Sequence, residues 1–154
     1  MARDEHRILA QIDELLEQYY RSRGGIGRGE PSPRREVFSD FLDMAAHLLE
    51  KYHHPSAATS AGVLAGATLE EYLRKLADAN GIETAQPGGE PVKAESLNAE
   101  LRAEGLCDRS EQMQVTAWLD LRDKAARGRR DEFSVDQVRL MIQGMRDLMI
   151  RHPA

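Results

Sequence analysis

The stretch Ala57-Ala58-Thr59-Ser60-Ala61-Gly62-Val63-Leu64-Ala65-Gly66-Ala67 constrains the fold more than any other part of the chain. It is small and apolar almost all round. A helix with no polar face must be enclosed by other elements. Its glycines and alanines let neighbouring backbones come close, although each interior glycine costs about 1 kcal/mol in helix propensity. Further along, the segment becomes amphipathic. Leu69, Tyr72, Leu73 and Leu76 share one face, while Glu70, Arg74, Lys75 and Asp78 can be solvated. Asn80-Gly81 is a strong stop. A central helix over 56–80 is therefore expected, and the rest of the chain has to surround it.

The flanking segments supply helices for that purpose. Residues 4 to about 22 carry one stripe of Ile8, Leu9, Ile12, Leu15, Leu16 and Tyr19 at helical spacing. A second helix is expected over 34–53, with Val37, Phe38, Phe41, Leu42, Ala45, Leu48, Leu49 and Tyr52 inward and His47 on its flank. Residues 82–93 hold Pro87, Gly88, Gly89 and Pro91 without apolar periodicity and read as a surface loop. A short helix begins at Ser96 and stops at Gly105. Asp108 with Glu111, and Ser134 with Gln137, have the spacing of capping boxes, so two further helices start there. The first should turn Met113, Ala117, Trp118, Leu121 and Ala125 inward. The second should turn in Val135, Val138, Met141 or Ile142, Met145, Leu148 and Met149, until Pro153. No strand pattern competes. The expected fold is all-α: a single domain over 1–154, a helical bundle of about five long helices plus one short helix.

Bulk composition agrees with that reading. Of 154 residues, 41% are hydrophobic and 31% charged, as in a globular rather than a disordered chain. Aromatics are only 5%, so aliphatic side chains must build the core. A net charge of −5 argues against coating nucleic acid with the whole surface, but leaves room for a local basic patch. The single cysteine, Cys107, excludes an internal disulfide and reads as a small apolar residue, not a reactive thiol. No apolar run approaches the roughly 20 residues of a membrane span, and there is no signal-peptide pattern. A cytoplasmic protein without membrane contact is the expectation.

Two stretches invite sharper readings that the residues do not sustain. Gly24-Gly25-Ile26-Gly27-Arg28-Gly29 lacks the Gly-Lys-Ser/Thr ending and the preceding strand of a phosphate loop. It reads as a linker, with Arg21, Arg23, Arg28, Arg34 and Arg35 clustered around it. His53-His54-Pro55 puts two histidines next to each other, where they cannot share a helix face, and no ligand cluster accompanies them. A turn into the next helix is expected there. No metal site and no cofactor is indicated.

Trp118-Leu119-Asp120-Leu121-Arg122-Asp123-Lys124-Ala125-Ala126-Arg127-Gly128 reads as the last turns of a helix. Trp118, Leu121 and Ala125 have the spacing of one buried face. Asp120 with Lys124, and Asp123 with Arg127, are i,i+4 acid-to-base pairs in the favourable order. Gly128 suits the position just past a helix end. Taken alone, this is an amphipathic helix with a salt-bridged outer face. Arg122, Lys124, Arg127, Arg129 and Arg130 nevertheless place five positive charges in nine residues, against one Asp. They form a candidate patch for RNA or another anion.

Leu-Arg-Asp-Lys-Ala-Ala-Arg-Gly resembles the Leu-Arg-Asn-Lys-Ala-Ala-His-Gly segment of the HEPN superfamily of small helical proteins. Many of its members are metal-independent endoribonucleases or toxins. The small-residue helix before the segment and the Phe133-Ser134-Val135-Asp136-Gln137-Val138 stretch after it resemble the family too. The likeness covers about 56–151, with 4–53 as an added N-terminal helical pair. It places Arg122 at the family's Arg, Asp123 at its usual Asn, and Arg127 at its His, four residues intervening. The resemblance implies a HEPN-like fold and a homodimer whose two motifs line one cleft.

Metal-free RNA cleavage needs a group to take the 2′-hydroxyl proton and a cation to meet the charge building on phosphorus. Histidine suits the first task and arginine the second. Arg127 cannot take a proton, since guanidinium stays charged in proteins. Asp123 adds negative charge where phosphate would approach. The expectation is a degenerate homodimeric module that binds RNA, a nucleotide, or a protein partner such as an antitoxin, without cutting. Two alternatives stand beside it: a toxin-type or defence-type endoribonuclease that recruits another base, from His6, His47, His53 or His54, and a purely structural helical module.

Overall fold

The computed structural model describes residues 34–52 and 54–154, with side chains from Val37 onward. The expected first helix over 4–22 and the glycine-rich run after it lie outside the described residues. Five α-helices follow: α1 (Arg34–Lys51), α2 (Pro55–Ala79), α3 (Ala94–Ala103), α4 (Arg109–Ala126) and α5 (Val135–Arg151), with a 3-10 turn at Arg130–Glu132. Among the described residues there is no strand, only one antiparallel bridge between Ala85 and Pro91 that closes the 82–93 loop. The fold is an all-α helical bundle.

Each helix starts where local chemistry lets it. His54 adopts the extended conformation of an N-cap and its Nδ1 accepts the Ser56 N–H at 3.1 Å, while Pro55 takes the first helical position, where no N–H is missed. Both capping boxes form. The Glu111 N–H donates to Asp108 Oδ1 at 2.8 Å and the Asp108 N–H to Glu111 Oε1 at 3.0 Å. The Gln137 N–H donates to Ser134 Oγ at 3.1 Å and the Ser134 N–H to Gln137 Oε1 at 2.8 Å. The short helix begins two residues earlier than its apolar pattern suggested, at Ala94, which is itself buried.

As its composition requires, α2 is the axis of the bundle and touches every other helix among the described residues. Ala61, Ala65, Leu69 and Ala77 are completely enclosed. Phe38 of α1 meets Tyr72 edge-on, with ring centroids 5.9 Å apart at 88°, in the offset geometry aromatic pairs prefer. The other long contact is with α4. A Cβ built on Gly62 would lie 3.0 Å from the Ala125 Cβ, and one on Gly66 only 2.2 Å from the Arg122 Cγ. Glycine at 66 is therefore what allows Arg122 to lie flat across α2.

Three side-chain expectations are corrected. On α4 the core is built by Val115, Leu119, Leu121 and Ala125, whereas Met113 is 62% exposed, Ala117 is exposed and Trp118 is only half-buried. The helix carries two apolar stripes that share Leu121 and Ala125, and docking on α2 buries the side that also holds Val115 and Leu119. Tyr52 and Val135 do not enter the core either. Both stay partly exposed, at the end of α1 and the start of α5. The remaining predicted residues of α5 are buried, Met141 and Ile142 both.

Candidate functional site

The end of α4 is shaped by a Schellman motif. Gly128 takes φ of 68°, its N–H donates to Ala125 O at 3.0 Å, and the Arg129 N–H donates to Lys124 O at 3.0 Å. Only glycine takes that backbone conformation without strain. Chain reversal there leaves Arg127 as an exposed C-cap and carries Arg129 and Arg130 onto the 3-10 turn.

Arg122 points the other way, over Gly66 and into a ring of carboxylates. Its Nη2 lies 2.9 Å from Asp123 Oδ1 and 3.1 Å from Glu95 Oε1, its Nη1 3.4 Å from Glu70 Oε2, and its Nε donates to Asp123 Oδ1 at 3.2 Å. The side chain is 18% exposed. Glu70 comes from the amphipathic end of α2, where its other oxygen also meets Arg74 at 3.0 Å. Glu95 comes from the first turn of α3. That helix is held on α4 by buried Asn98, whose Nδ2 donates to Gln112 O at 3.1 Å and Thr116 Oγ1 at 3.2 Å. Three carboxylates thus face two guanidiniums, and every Arg122 nitrogen is engaged. The neighbourhood carries net negative charge.

This arrangement corrects the expected Asp123–Arg127 pair. Asp123 turns back to Arg122, and Arg127 has no ion partner among the described residues. The Asp120–Lys124 pair forms at 3.0 Å, and Arg129 meets Glu132 at 3.4 Å. Of the five charges in the candidate patch, Arg122, Lys124 and Arg129 are therefore neutralised locally, and among the described residues Arg127 and Arg130 have no ion partner. No described histidine hydrogen-bonds or ion-pairs with Arg122 or Arg127. His47 is exposed on α1, and His54 lines a cavity of about 480 Å³ that it shares with Arg130. His6 and His53 lie outside the described residues.

A second polar cluster was not visible in the sequence. Glu111, 8% exposed, caps α4 with one oxygen, while its Oε2 meets Arg151 Nε at 3.1 Å and His152 Nε2 at 2.7 Å. The Tyr72 hydroxyl donates to the His152 carbonyl. Burial pushes the Glu111 carboxyl up, but the Asp108 N–H, His152 and Arg151 outweigh it and hold the group below its ordinary range. Burial, with Glu111 nearby, raises the Tyr72 phenol and the half-buried Cys107 thiol, so neither ionises readily. The capping-box spacing pointed to Glu111, but its partners lie 40 and 41 residues away. This cluster clamps the end of α5 to the starts of α4 and the middle of α2.

Between α4 and α5, the exposed stripe of α4 borders a shallow groove in which Trp118, Leu140 and Ala117 stand beside Asp120, Lys124 and Glu132. Trp118 lies on Gly144, where a Cβ would come within 2.4 Å of its Cζ2. Leu140, 65% exposed, and Ala117 line the same groove of about 300 Å³, and Met113 extends the stripe one turn further. Among the described residues no group of three His, Cys, Asp or Glu side chains is placed to hold a metal ion, and no helix is long and apolar enough to cross a membrane. Compared with known proteins, the chain matches no family model, no curated protein and no solved structure.

Proposed function

We propose that this protein is a HEPN-like helical module that pairs with itself, engages a protein partner, and does not cleave RNA. The observation that carries the reading is the carboxylate ring around Arg122. A cation that must meet charge on a phosphate cannot already be shared among Asp123, Glu70 and Glu95. Removing those carboxylates' charge, or displacing them, would have to precede any phosphate contact. The residue at the family's histidine position, Arg127, cannot shuttle a proton. Both elements of the metal-free mechanism are thus compromised, one by substitution and one by its surroundings.

The same geometry favours a protein partner over a polyanion. Two free arginines release few counterions, so RNA affinity should fall only weakly with salt, with a log–log slope of about −1.4 rather than the roughly −3.5 of five free cations. The Met113–Trp118–Leu140 face supports self-association, because an apolar stripe on a helix normally finds cover. The test is incubation of the purified chain with mixed RNA in chelator across a salt series. No cleavage, with weak and shallowly salt-dependent binding, is expected. Robust cleavage abolished by Arg122→Ala would overturn the proposal in favour of an endoribonuclease.

A further inference from the structure

The cavity that His54 and Arg130 share opens between the end of α1, the start of α2 and the start of α5. At about 480 Å³ it has the size of a small-molecule site. Its apolar wall comprises Leu49, Tyr52, Phe133 and Val135. Helical periodicity would have sent Tyr52 and Val135 into the core, and both line this cavity instead.

The charges on the lining decide what such a site can take. Arg139 is already paired with Asp136 at 2.8 Å. Glu50 and Arg130 both line the cavity, yet among the described residues neither has an ion partner, the other included. The His54 ring is fixed by its capping role. Because Nδ1 accepts the Ser56 N–H, the neutral ring carries its proton on Nε2 and presents a donor. A dianionic phosphate would bring two negative charges to a lining whose own charges cancel. One free cation and one free anion, apart from each other beside an apolar wall, select a ligand with one charge of each sign and an apolar body.

We propose that this cavity binds a small zwitterion, in its simplest form an aromatic or branched-chain α-amino acid. The carboxylate meets the Arg130 fork with the His54 donor alongside, a geometry guanidinium matches well. The ammonium meets Glu50, and the side chain lies against Tyr52, Phe133 and Val135. This site is separate from the Arg122 motif and does not rest on the reading of that motif.

The test is calorimetric and NMR titration of the full chain with L-phenylalanine and L-leucine. Three comparison ligands each lack one feature: 3-phenylpropionate has no ammonium, phenethylamine no carboxylate, and L-alanine no apolar body. Saturable one-to-one binding of phenylalanine or leucine is expected, with each comparison ligand about tenfold weaker or more, the factor one lost charge-assisted contact carries. Glu50→Gln should erase the advantage of phenylalanine over 3-phenylpropionate, and Arg130→Gln its advantage over phenethylamine. Both positions are exposed, so folding should be unaffected, which circular dichroism checks. Equal affinity for 3-phenylpropionate and phenylalanine, or no saturable binding of either amino acid at millimolar concentration, would overturn the proposal.

Discussion

Arg122→Ala separates a structural arginine from one waiting for a ligand. The substitution removes a cation shared by three carboxylates, of which Glu70, Glu95 and Asp123 are 40%, 52% and 45% exposed. At that exposure each contact is screened and contributes about 0.2–1 kcal/mol, so the three together contribute about 1–2 kcal/mol. The aliphatic stem adds to this, since its Cγ and Cδ lie on Gly66 and are deleted in alanine. Two buried methylenes at about 0.8 kcal/mol each bring the total loss to about 3 kcal/mol. For a chain of this size the melting temperature should fall by about 5–10 °C. Arg122→Met keeps most of the stem and should lose only the electrostatic share. That share should fade in 1 M salt, where the Debye length is about 3 Å. Thermal and urea unfolding of the parent and both variants, at low and high salt, measure each part. If Arg122→Ala is as stable as the parent at low salt, the carboxylate ring does not hold the arginine and the argument against phosphate binding fails.

Four further outcomes follow from the same geometry. The folded pKa of Glu111 lies below its ordinary value, so its contribution is present above the unfolded pKa and is lost as pH falls through the folded one; the melting-temperature gap between parent and Glu111→Gln should close on acidification, and a pH-independent gap counts against the clamp. Gly144→Ala places a methyl against Trp118, an overpacking cost of about 1–3 kcal/mol that exceeds the roughly 1 kcal/mol of helix propensity gained; the fluorescence of this single tryptophan should shift. Leu140→Lys should convert a dimer to a monomer by light scattering at micromolar concentration, and a monomeric parent would remove the self-pairing proposal. Asp123→Asn with Arg127→His supplies a titratable group and takes one carboxylate from Arg122, so slow metal-independent RNA cleavage should emerge, stronger when Glu95→Gln is added; its absence in both counts against the HEPN-like reading.

What the sequence determined by itself was whatever depends on residues three or four apart. The uncharged run from Ala57 to Ala67 required a central helix. The capping boxes at Asp108–Glu111 and Ser134–Gln137 set two helix starts, Gly128 ended α4, and the Asp120–Lys124 pair formed as its spacing implied. Such contacts are built by helix geometry unless packing offers one side chain another partner, as it does Asp123. Tertiary structure decided everything that depends on which faces dock. α4 carries two apolar stripes of similar quality, and only the close approach at Gly62 and Gly66 brings Val115 and Leu119 inward and leaves Met113 outside. The same approach lays Arg122 between carboxylates 52 and 27 residues away in the chain, and draws Asp123 from Arg127 to Arg122. A guanidinium takes whichever carboxylates packing brings closest, and sequence spacing predicts only those on its own helix.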